Sequence, residues 1–543
     1  MVSKADIKYI MGEIPLTAEV YWYLFQHGKP ITKGFSLRRV EKWLPKWCEQ
    51  AEFAYQQNQS KSQKKRRVWI FCTLRYWIEH ATLLSLTLNG LGHHVLFTYL
   101  PYASWNRAIH RFDLRRHRTY AQSVFRPASS LLHPTSLLEV KPISSRLIPD
   151  EIVEAIREVS LRDTQYTLQI EDVDTDNENS ASGRLYKLRL LRNTQAAAAT
   201  LAWFQSMEPN ERPEVLITPN GSILEMGVVY QVARFLGIPI VTYEFGEQRG
   251  RIWLAQNSEV MLQETDDLWE AKKGKPLTES EWDQIRSLYV SRQNGSLWEN
   301  FSRLWQGQPS QGGQKALKDL GLDSRPIVLL AANVIGDSLT LGRQIFTKNM
   351  TEWLEGSVKF FASRPEVQFI VRIHPGERYL KGPSVAQVIR KALPDVPPHI
   401  HLVEAPEPVN TYDLVEIADL GLAYTTTVGM EMAMSGVPVL VGGKTHYRGK
   451  GFTIDPTSWD DYYQILERVL TDPRKNRLTR EQVENAWRYA YRFFFNYPCP
   501  FPWHLLNFWN ELDTWPMERV LSPEGQTQFG DTFRFLANHS REW

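Results

Sequence analysis

One pattern occurs twice in this chain of 543 residues and narrows its fold more than any other feature. Residues 215–244 read VLITPNGSILEMGVVYQVARFLGIPIVTYE and residues 420–443 read LGLAYTTTVGMEMAMSGVPVLVGG. Each is an apolar strand, a turn of Thr, Asn, Gly or Ser, a helix with an early glutamate (Glu225; Glu431), then Gly-hydrophobic-Pro and a second apolar strand. Strand–turn–helix–strand units of this kind build parallel sheets through right-handed crossovers. Such sheets bind ligands beyond the carboxyl ends of their strands.

Around these units the alternation continues. Arg67 opens an apolar strand, a helix ends near Gly90, and a strand runs from His94 to Leu100. A long helix is expected around Asn193–Met207, a strand over 215–218, a helix from about Ser222 to Phe235 and a strand over Ile238–Tyr243. After QGQPSQGGQ (306–314), a Gly/Gln/Pro/Ser stretch of linker character, a second α/β series begins. The expectation is an α/β protein of two Rossmann-like domains facing across a cleft. It comprises a helical extension (1–60), an N-terminal domain (61–305), a linker (306–322), a C-terminal domain (323–484) and an aromatic helical tail (485–543) that packs back across the domains. In the extension, Val40, Trp43, Leu44, Trp47 and Phe53 fall near one helical face. A chain of this length exceeds a single core, in keeping with two domains.

Composition excludes several classes. A formal net charge of +2 argues against a dedicated nucleic-acid binder. The basic residues are local: Lys61, Lys64, Lys65, Arg66 and Arg67 form one run, and Arg107, Arg111, Arg115, Arg116 and Arg118 another. Such runs suit anionic lipid headgroups or a charged glycan as well as a solvated face. Cys48, Cys72 and Cys499 have the spacing of neither a zinc site nor a disulfide framework, which fits a cytoplasmic protein. No window has the length of uninterrupted apolar sequence that spans a membrane, so any membrane role is peripheral, at the inner face. The 19 tryptophans crowd both ends of the chain and suit carbohydrate stacking or an ordinary large core.

The expected strand ends of the C-terminal domain present Asn333-Val334-Ile335-Gly336-Asp337-Ser338, Arg372-Ile373-His374-Pro375-Gly376-Glu377 and Thr425-Thr426-Thr427-Val428-Gly429-Met430-Glu431. Thr425–Thr427 enter a helix, where N–H groups and hydroxyls hold phosphate. Glu431, one turn on, is placed to accept from ribose hydroxyls. The alternatives are an N-cap at Thr427 and a dipole-favoured Glu431. His374, held by Pro375, with Arg372 on the same side of the strand, is suited to neutralising phosphate or protonating a leaving group. The alternative is a hydrogen-bonded structural histidine. Gly336 permits close approach of a phosphate or simply makes a turn. In the N-terminal domain the corresponding loops carry Arg75, then Asn220 and Ser222, then Glu244 and Glu247. The last two are candidate bases for an acceptor hydroxyl, with Glu79 and His80 as substitutes. Asp172, Asp174 and Asp176 have a DxD look, but their Asn/Ser-rich surroundings read as a solvated loop, and no metal site is expected.

Four stretches together carry a family resemblance: ANVIGDS, TEWLEGSVKFFASRPEVQFIVRIHPGE, VNTYDLVEIADLGLAYTTTVGMEMAMSGVPVLVGG and WRYAYRFFFNYPCPFPWHL. Over roughly residues 325–505 the chain resembles the bacterial capsule polysaccharide biosynthesis proteins, a group similar to GT-B glycosyltransferases. The resemblance implies a nucleotide-sugar donor, CMP- or UDP-linked, at the C-terminal domain and a polysaccharide or glycolipid acceptor at the N-terminal one, with no cofactor or metal. His374-Pro375 looks like the His-Pro element that contacts donor phosphate in bacterial sialyltransferases and related enzymes, and Thr425–Thr427 like their hydroxyl-bearing phosphate loop. Their acidic base motif, two acids then Gly, is matched only loosely by Glu244-Phe245-Gly246. A CDP-glycerol-type polyol-phosphate transferase, a nucleotide-sugar epimerase and a non-catalytic scaffold of polysaccharide assembly share this plan.

Overall fold

A computed structural model describes residues 4–26, 40–58, 65–74, 78–299, 301, 308–379 and 382–543. Lys61, Lys64 and Arg75 lie outside the described residues, as do residues 306 and 307 of the expected linker. In chain order the strands are β1 (Arg67–Thr73), β2 (His94–Leu100), β3 (Thr135–Ser136), β4 (Val215–Pro219), β5 (Ile240–Glu244), β6 (Arg251–Gln256), β7 (Ile327–Ala331), β8 (Gln368–Arg372), β9 (Ile400–Val403), β10 (Leu420–Ala423), β11 (Val439–Val441) and β12 (Cys499–Pro500).

The chain divides into two α/β units. Unit 1 takes in 1–163, 174–260 and 499–542, and unit 2 takes in 164–173 and 261–498. Unit 1 holds a seven-stranded sheet in the order β12-β6-β5-β4-β1-β2-β3, and unit 2 a five-stranded sheet in the order β11-β10-β7-β8-β9. The five strands of unit 2 pair in parallel throughout, while in unit 1 β6 runs antiparallel to both β5 and β12. Parallel strands are covered on both faces, which is why β1, β4, β7 and β8 are apolar almost throughout and buried along their length.

The two sheets share one topological device. In unit 1 the chain moves from β1 outward through β2 to β3, then returns to the other side of β1 with β4 and continues to β5. In unit 2 it moves from β7 through β8 to β9, then returns to the other side of β7 with β10 and continues to β11. The order therefore reverses between β1 and β4 and between β7 and β10, and a crevice opens at the carboxyl ends of such strand pairs. The repeated sequence pattern supplies β4 and β5 in one unit and β10 and β11 in the other.

Several local expectations needed correction. The helix expected around Asn193–Met207 spans Ala181–Gln205. Ser180 caps it by accepting from the Gly183 N–H, so part of what read as polar loop is a cap and first turn. The stretch after Gly312 is not a bare linker: Gly313–Asp319 is helical and packs against helix Thr411–Ile417, with the Gly313 N–H on the Glu416 carboxylate. In the extension Val40, Leu44 and Trp47 are buried and Trp43 partly so, but Phe53 is exposed and Ala51 takes the inward position. The strand expected over Ile238–Tyr243 runs Ile240–Glu244. The tail re-enters unit 1 through β12, and Phe501, Trp503, Phe529, Phe533 and Leu536 join its core with Val68, Ile70 and Leu84.

Candidate functional site

The register of unit 2 sets Ala423, Ala331 and Arg372 level on β10, β7 and β8. The residues just beyond them therefore emerge side by side at one sheet edge. Strands lie about 5 Å apart, so the loops after β10 and β8, with β7 between them, start about 10 Å apart. That is within the span of a nucleotide's phosphate and sugar.

Asn333 comes just after β7 and spans the β7/β10 reversal point: its side-chain oxygen accepts from the Thr425 N–H at 3.1 Å. Thr425 and Thr426 are largely buried, and Thr426 Oγ1 accepts weakly from the Val428 N–H at 3.4 Å. The Thr425 hydroxyl is buried with no hydrogen-bond partner among the described residues. A buried hydroxyl costs free energy unless it is paired, so this orphan at the reversal point is a candidate to meet a ligand oxygen. The helix it precedes, Val428–Met434, is only seven residues long and Thr427 makes no side-chain cap. The dipole contribution expected there is accordingly small, and hydroxyls rather than a helix end are the donors on offer.

His374 is half-buried. Its Nδ1 accepts from the Gly376 N–H at 3.1 Å, which fixes the proton on Nε2 and makes that atom a donor. Burial pushes its pKa down; Asp337 works against this and the Arg372 charge adds to it. The ring is thus neutral at physiological pH, a hydrogen-bond donor rather than a counter-cation.

Three expected donor ligands take other roles. Arg372 is buried and its guanidinium donates to the Glu404 carbonyl at 2.9 Å, with a long contact to Thr411 Oγ1. Burial lowers its pKa to about 10, so it stays charged and acts on the site through its field. Gly336 has φ +69°, and a Cβ there would lie 2.7 Å from the backbone of Gln169 and Ile170. The close approach it permits is to the chain itself. Glu431 is 2% exposed and paired with Arg292 at 3.2 Å. Glu225, its counterpart in unit 1, does the same: it is buried against Arg189 at 2.9 Å. In both repeats the early glutamate anchors its helix to an arginine from an earlier helix, Ala181–Gln205 in one case and Glu279–Gln293 in the other.

In unit 1 the structure gathers Asn220, Ser222 and Glu244 at the ends of the adjacent strands β4 and β5. Asn220 donates to Glu244 Oε2 at 3.3 Å and accepts from the Ser222 hydroxyl at 2.5 Å. Asn220 and Gly221 both have positive φ, which turns the loop sharply back over the strand ends. Glu244 and Glu247 are half-buried. Glu79 and His80, by contrast, are buried. Burial raises Glu79 to about 7 while it accepts from the Tyr120 hydroxyl, and burial lowers His80 to about 4 with the Trp503 carbonyl 3.0 Å away. Both therefore belong to the packing beneath β1. The Thr73 and Thr218 hydroxyls, at the ends of β1 and β4, are buried without partners among the described residues and are further candidates.

Two features escaped the sequence. Asp163, Arg189, Glu225, Asn193 and Ser160 form one buried network, in which Asp163 also accepts from the Leu224 N–H. Its members lie on three elements, and only the paired early glutamates hinted at it. Beside the DxD-like run, the Glu171 carboxylate sits on the first turn of helix Met350–Ala362, accepting from the Met350 and Thr351 N–H groups at 3.1 and 2.7 Å. Asp172 is exposed and pairs with Lys348 at 3.4 Å. Finally, an open pocket of about 410 Å³ in unit 1 is lined by Lys42, Trp43, Lys46, Trp509 and Asp513, joining tryptophans from the two ends of the chain.

No family model and no curated protein matches the chain. Among solved structures similar to it is the Thermosulfurimonas dismutans KpsC beta Kdo 2,4 transferase, at 17% identity and a TM-score of 0.30, covering 53% of this chain and 85% of that one. A UDP-GlcNAc 2-epimerase from Neisseria meningitidis is similar at 12% identity and a TM-score of 0.24, covering 79% of this chain and 100% of that one. A glycosyltransferase from Rickettsia africae is similar at 7% identity and a TM-score of 0.27, covering 88% and 100%. At these scores the likenesses decide neither activity nor substrate.

Proposed function

We propose that this protein is a GT-B-type glycosyltransferase that moves a sugar from a nucleotide-sugar donor to a capsular or other surface polysaccharide acceptor. The observation that carries the reading is the presence, at one edge of the five-stranded sheet, of an orphaned Thr425 hydroxyl and a His374 ring whose proton is fixed on Nε2.

The donor's phosphate oxygens are held by His374 Nε2–H and by the Thr425, Thr426 and Thr427 hydroxyls, with Asn333 holding the loop that carries them. As the bond to the sugar breaks, negative charge grows on the leaving phosphate. Fixed donors aimed at that position stabilise it with no reorganisation at the moment of reaction. Arg372 adds a positive field from beneath. This donor set calls for neither a cofactor nor a metal. The acceptor hydroxyl gives its proton to a carboxylate of unit 1. Glu244, steadied by Asn220, and Glu247 on the same loop are the assigned candidates, with Ser222 and Arg75 on the acceptor side. The acceptor is a polysaccharide or glycolipid, and the reaction belongs at the inner face of the cytoplasmic membrane.

The test is a thermal-shift screen of the purified protein against CMP, CDP, UDP and GDP and their sugar or glycerol conjugates, then product analysis with the stabilising donor. The expected result is stabilisation by one nucleotide class, lost in His374→Ala. Stabilisation by CDP-glycerol alone reassigns the transferred group, and conversion of the donor without an acceptor reassigns the reaction to epimerisation. Absence of stabilisation by any nucleotide refutes the proposal.

A further inference from the structure

The first helices of unit 1 are attached inside out. Helix Lys4–Glu13, helix Thr17–Tyr21 and the π-helical turn Trp22–Gln26 lie on helix Arg111–Phe125. An amphipathic helix on a soluble protein ordinarily turns its apolar stripe inward and its charges out. Here charged side chains make the attachment: Lys8 pairs with Asp113 at 2.8 Å, Glu13 with Arg111 at 2.5 Å, and Glu19 with Arg115 at 2.5 Å. Gly12 lets the helix seat closely, since a Cβ there would lie 2.9 Å from the Phe112 backbone nitrogen. Ala18 and Trp22 are the buried apolar anchors.

Large apolar residues face outward instead. Ile7 and Ile10 on the first helix, Ile14 and Leu16 in the turn between the helices, Val20 on the second helix and Leu24 in the π-helical turn are all exposed; Ile10 is 56% exposed and Leu24 70%. Tyr9, Tyr23 and Phe25 are exposed beside them. A concentration of large apolar side chains of this kind marks an interaction surface.

The surrounding charge selects the occupant. Residues 4–26 and 107–126 together contain eight Lys and Arg against four Asp and Glu, a surplus of four of which Arg118 is taken up by Glu139, while the whole chain carries +2. Apolar side chains with tyrosines among them and a cationic flank are the chemistry of an interfacial helix on anionic lipid. We infer that the outward face of residues 7–25 docks the protein on an anionic bilayer, with Ile10, Leu16 and Leu24 entering the headgroup–acyl boundary. This surface is independent of the donor site, so its failure and that of the proposed function are separately visible.

The test is flotation of the full chain with phosphatidylcholine vesicles, with and without phosphatidylglycerol, at low and high salt, alongside its mass in solution. Wild type is expected to float with the anionic vesicles, less so at high salt. The double variant Ile10→Glu, Leu24→Glu is expected to bind about tenfold more weakly or worse, with unchanged melting temperature because both sites are exposed. Phe53→Glu, an exposed residue of another helix, is the control that leaves binding intact. Wild type that does not float, or a double variant that floats equally well, overturns the inference. So does a wild-type dimer that the double variant converts to monomer, which gives the face to a second copy of the chain.

Discussion

Replacing His374 tests the donor site at its centre, and the structure sets the size of the effect. The ring is neutral, its Nδ1 is engaged by the Gly376 N–H, and Nε2–H is the donor assigned to phosphate. A hydrogen bond to a charged group contributes about 1.5–3 kcal/mol. At about 1.4 kcal/mol per tenfold, His374→Ala should weaken nucleotide binding about 10- to 150-fold. Two further variants separate the donor from the loop. Gln places an amide N–H near the position of Nε2 and should recover most of the affinity. Asn keeps an acceptor for the Gly376 N–H but does not reach the phosphate, and should bind as weakly as Ala. Isothermal titration calorimetry with the stabilising nucleotide reads all four proteins. A half-buried side chain at a loop should cost about 1 kcal/mol of stability or less, so thermal melts report whether the fold is intact. Alanine binding within twofold of wild type, or glutamine and asparagine behaving alike, would refute the assignment of Nε2 as the phosphate donor.

Other consequences are equally direct. Arg189→Met leaves Asp163 and Glu225 buried without their cation and should cost about 3–5 kcal/mol, read as a lower urea midpoint, with nucleotide affinity in unit 2 unchanged. Glu431→Gln strands the buried Arg292 and should likewise lower stability without selectively weakening binding; a loss of affinity at full stability would return Glu431 to the ribose. Burial holds His80, His93 and His117 near about 4 and His446 near about 3, so each takes up a proton on unfolding between that value and the ordinary 6.5. Stability therefore falls as pH drops through that window, by about 1.4 kcal/mol per pH unit per histidine. Glu79 and Glu511, raised by burial to about 7, act in the opposite sense from their ordinary 4.5 upward. The four histidines outnumber the two carboxyls, so stability should fall as pH drops from 6.5 to 4.5, measurable by urea titration at each pH.

The strand skeleton was legible because parallel strands must be apolar on both faces: β1 and β2 run as read, and β4 within a residue. The positions of the residues proposed to hold the donor were legible as well: His374, Asn333 and Thr425–Thr427 follow the ends of apolar runs, and the structure has them just past β8, β7 and β10. Direction and partnership could not be read. Arg372 and His374 share a side of the strand in sequence logic, yet the guanidinium turns to the Glu404 carbonyl. Glu431 has the look of a ligand until Arg292, from a helix well over a hundred residues earlier, is placed against it. Phe53 satisfied the helical spacing of the extension but falls where Ala51 already fills the inner face. Long-range pairing is set by packing, and a single sequence carries little trace of it.

Neither folded unit is a continuous length of the gene product. The five-stranded body borrows residues 164–173, whose Glu171 closes the first turn of helix Met350–Ala362 and whose Gln169 backbone fills the space beside Gly336. The seven-stranded body waits for β12 and the aromatic side chains near the C-terminus to complete its interior. During synthesis, the portion made first cannot reach its final packing until residues 499–542 have emerged. Expression of either half alone, cut at the glutamine- and glycine-rich stretch that looks like a natural seam, should yield aggregates rather than a soluble domain.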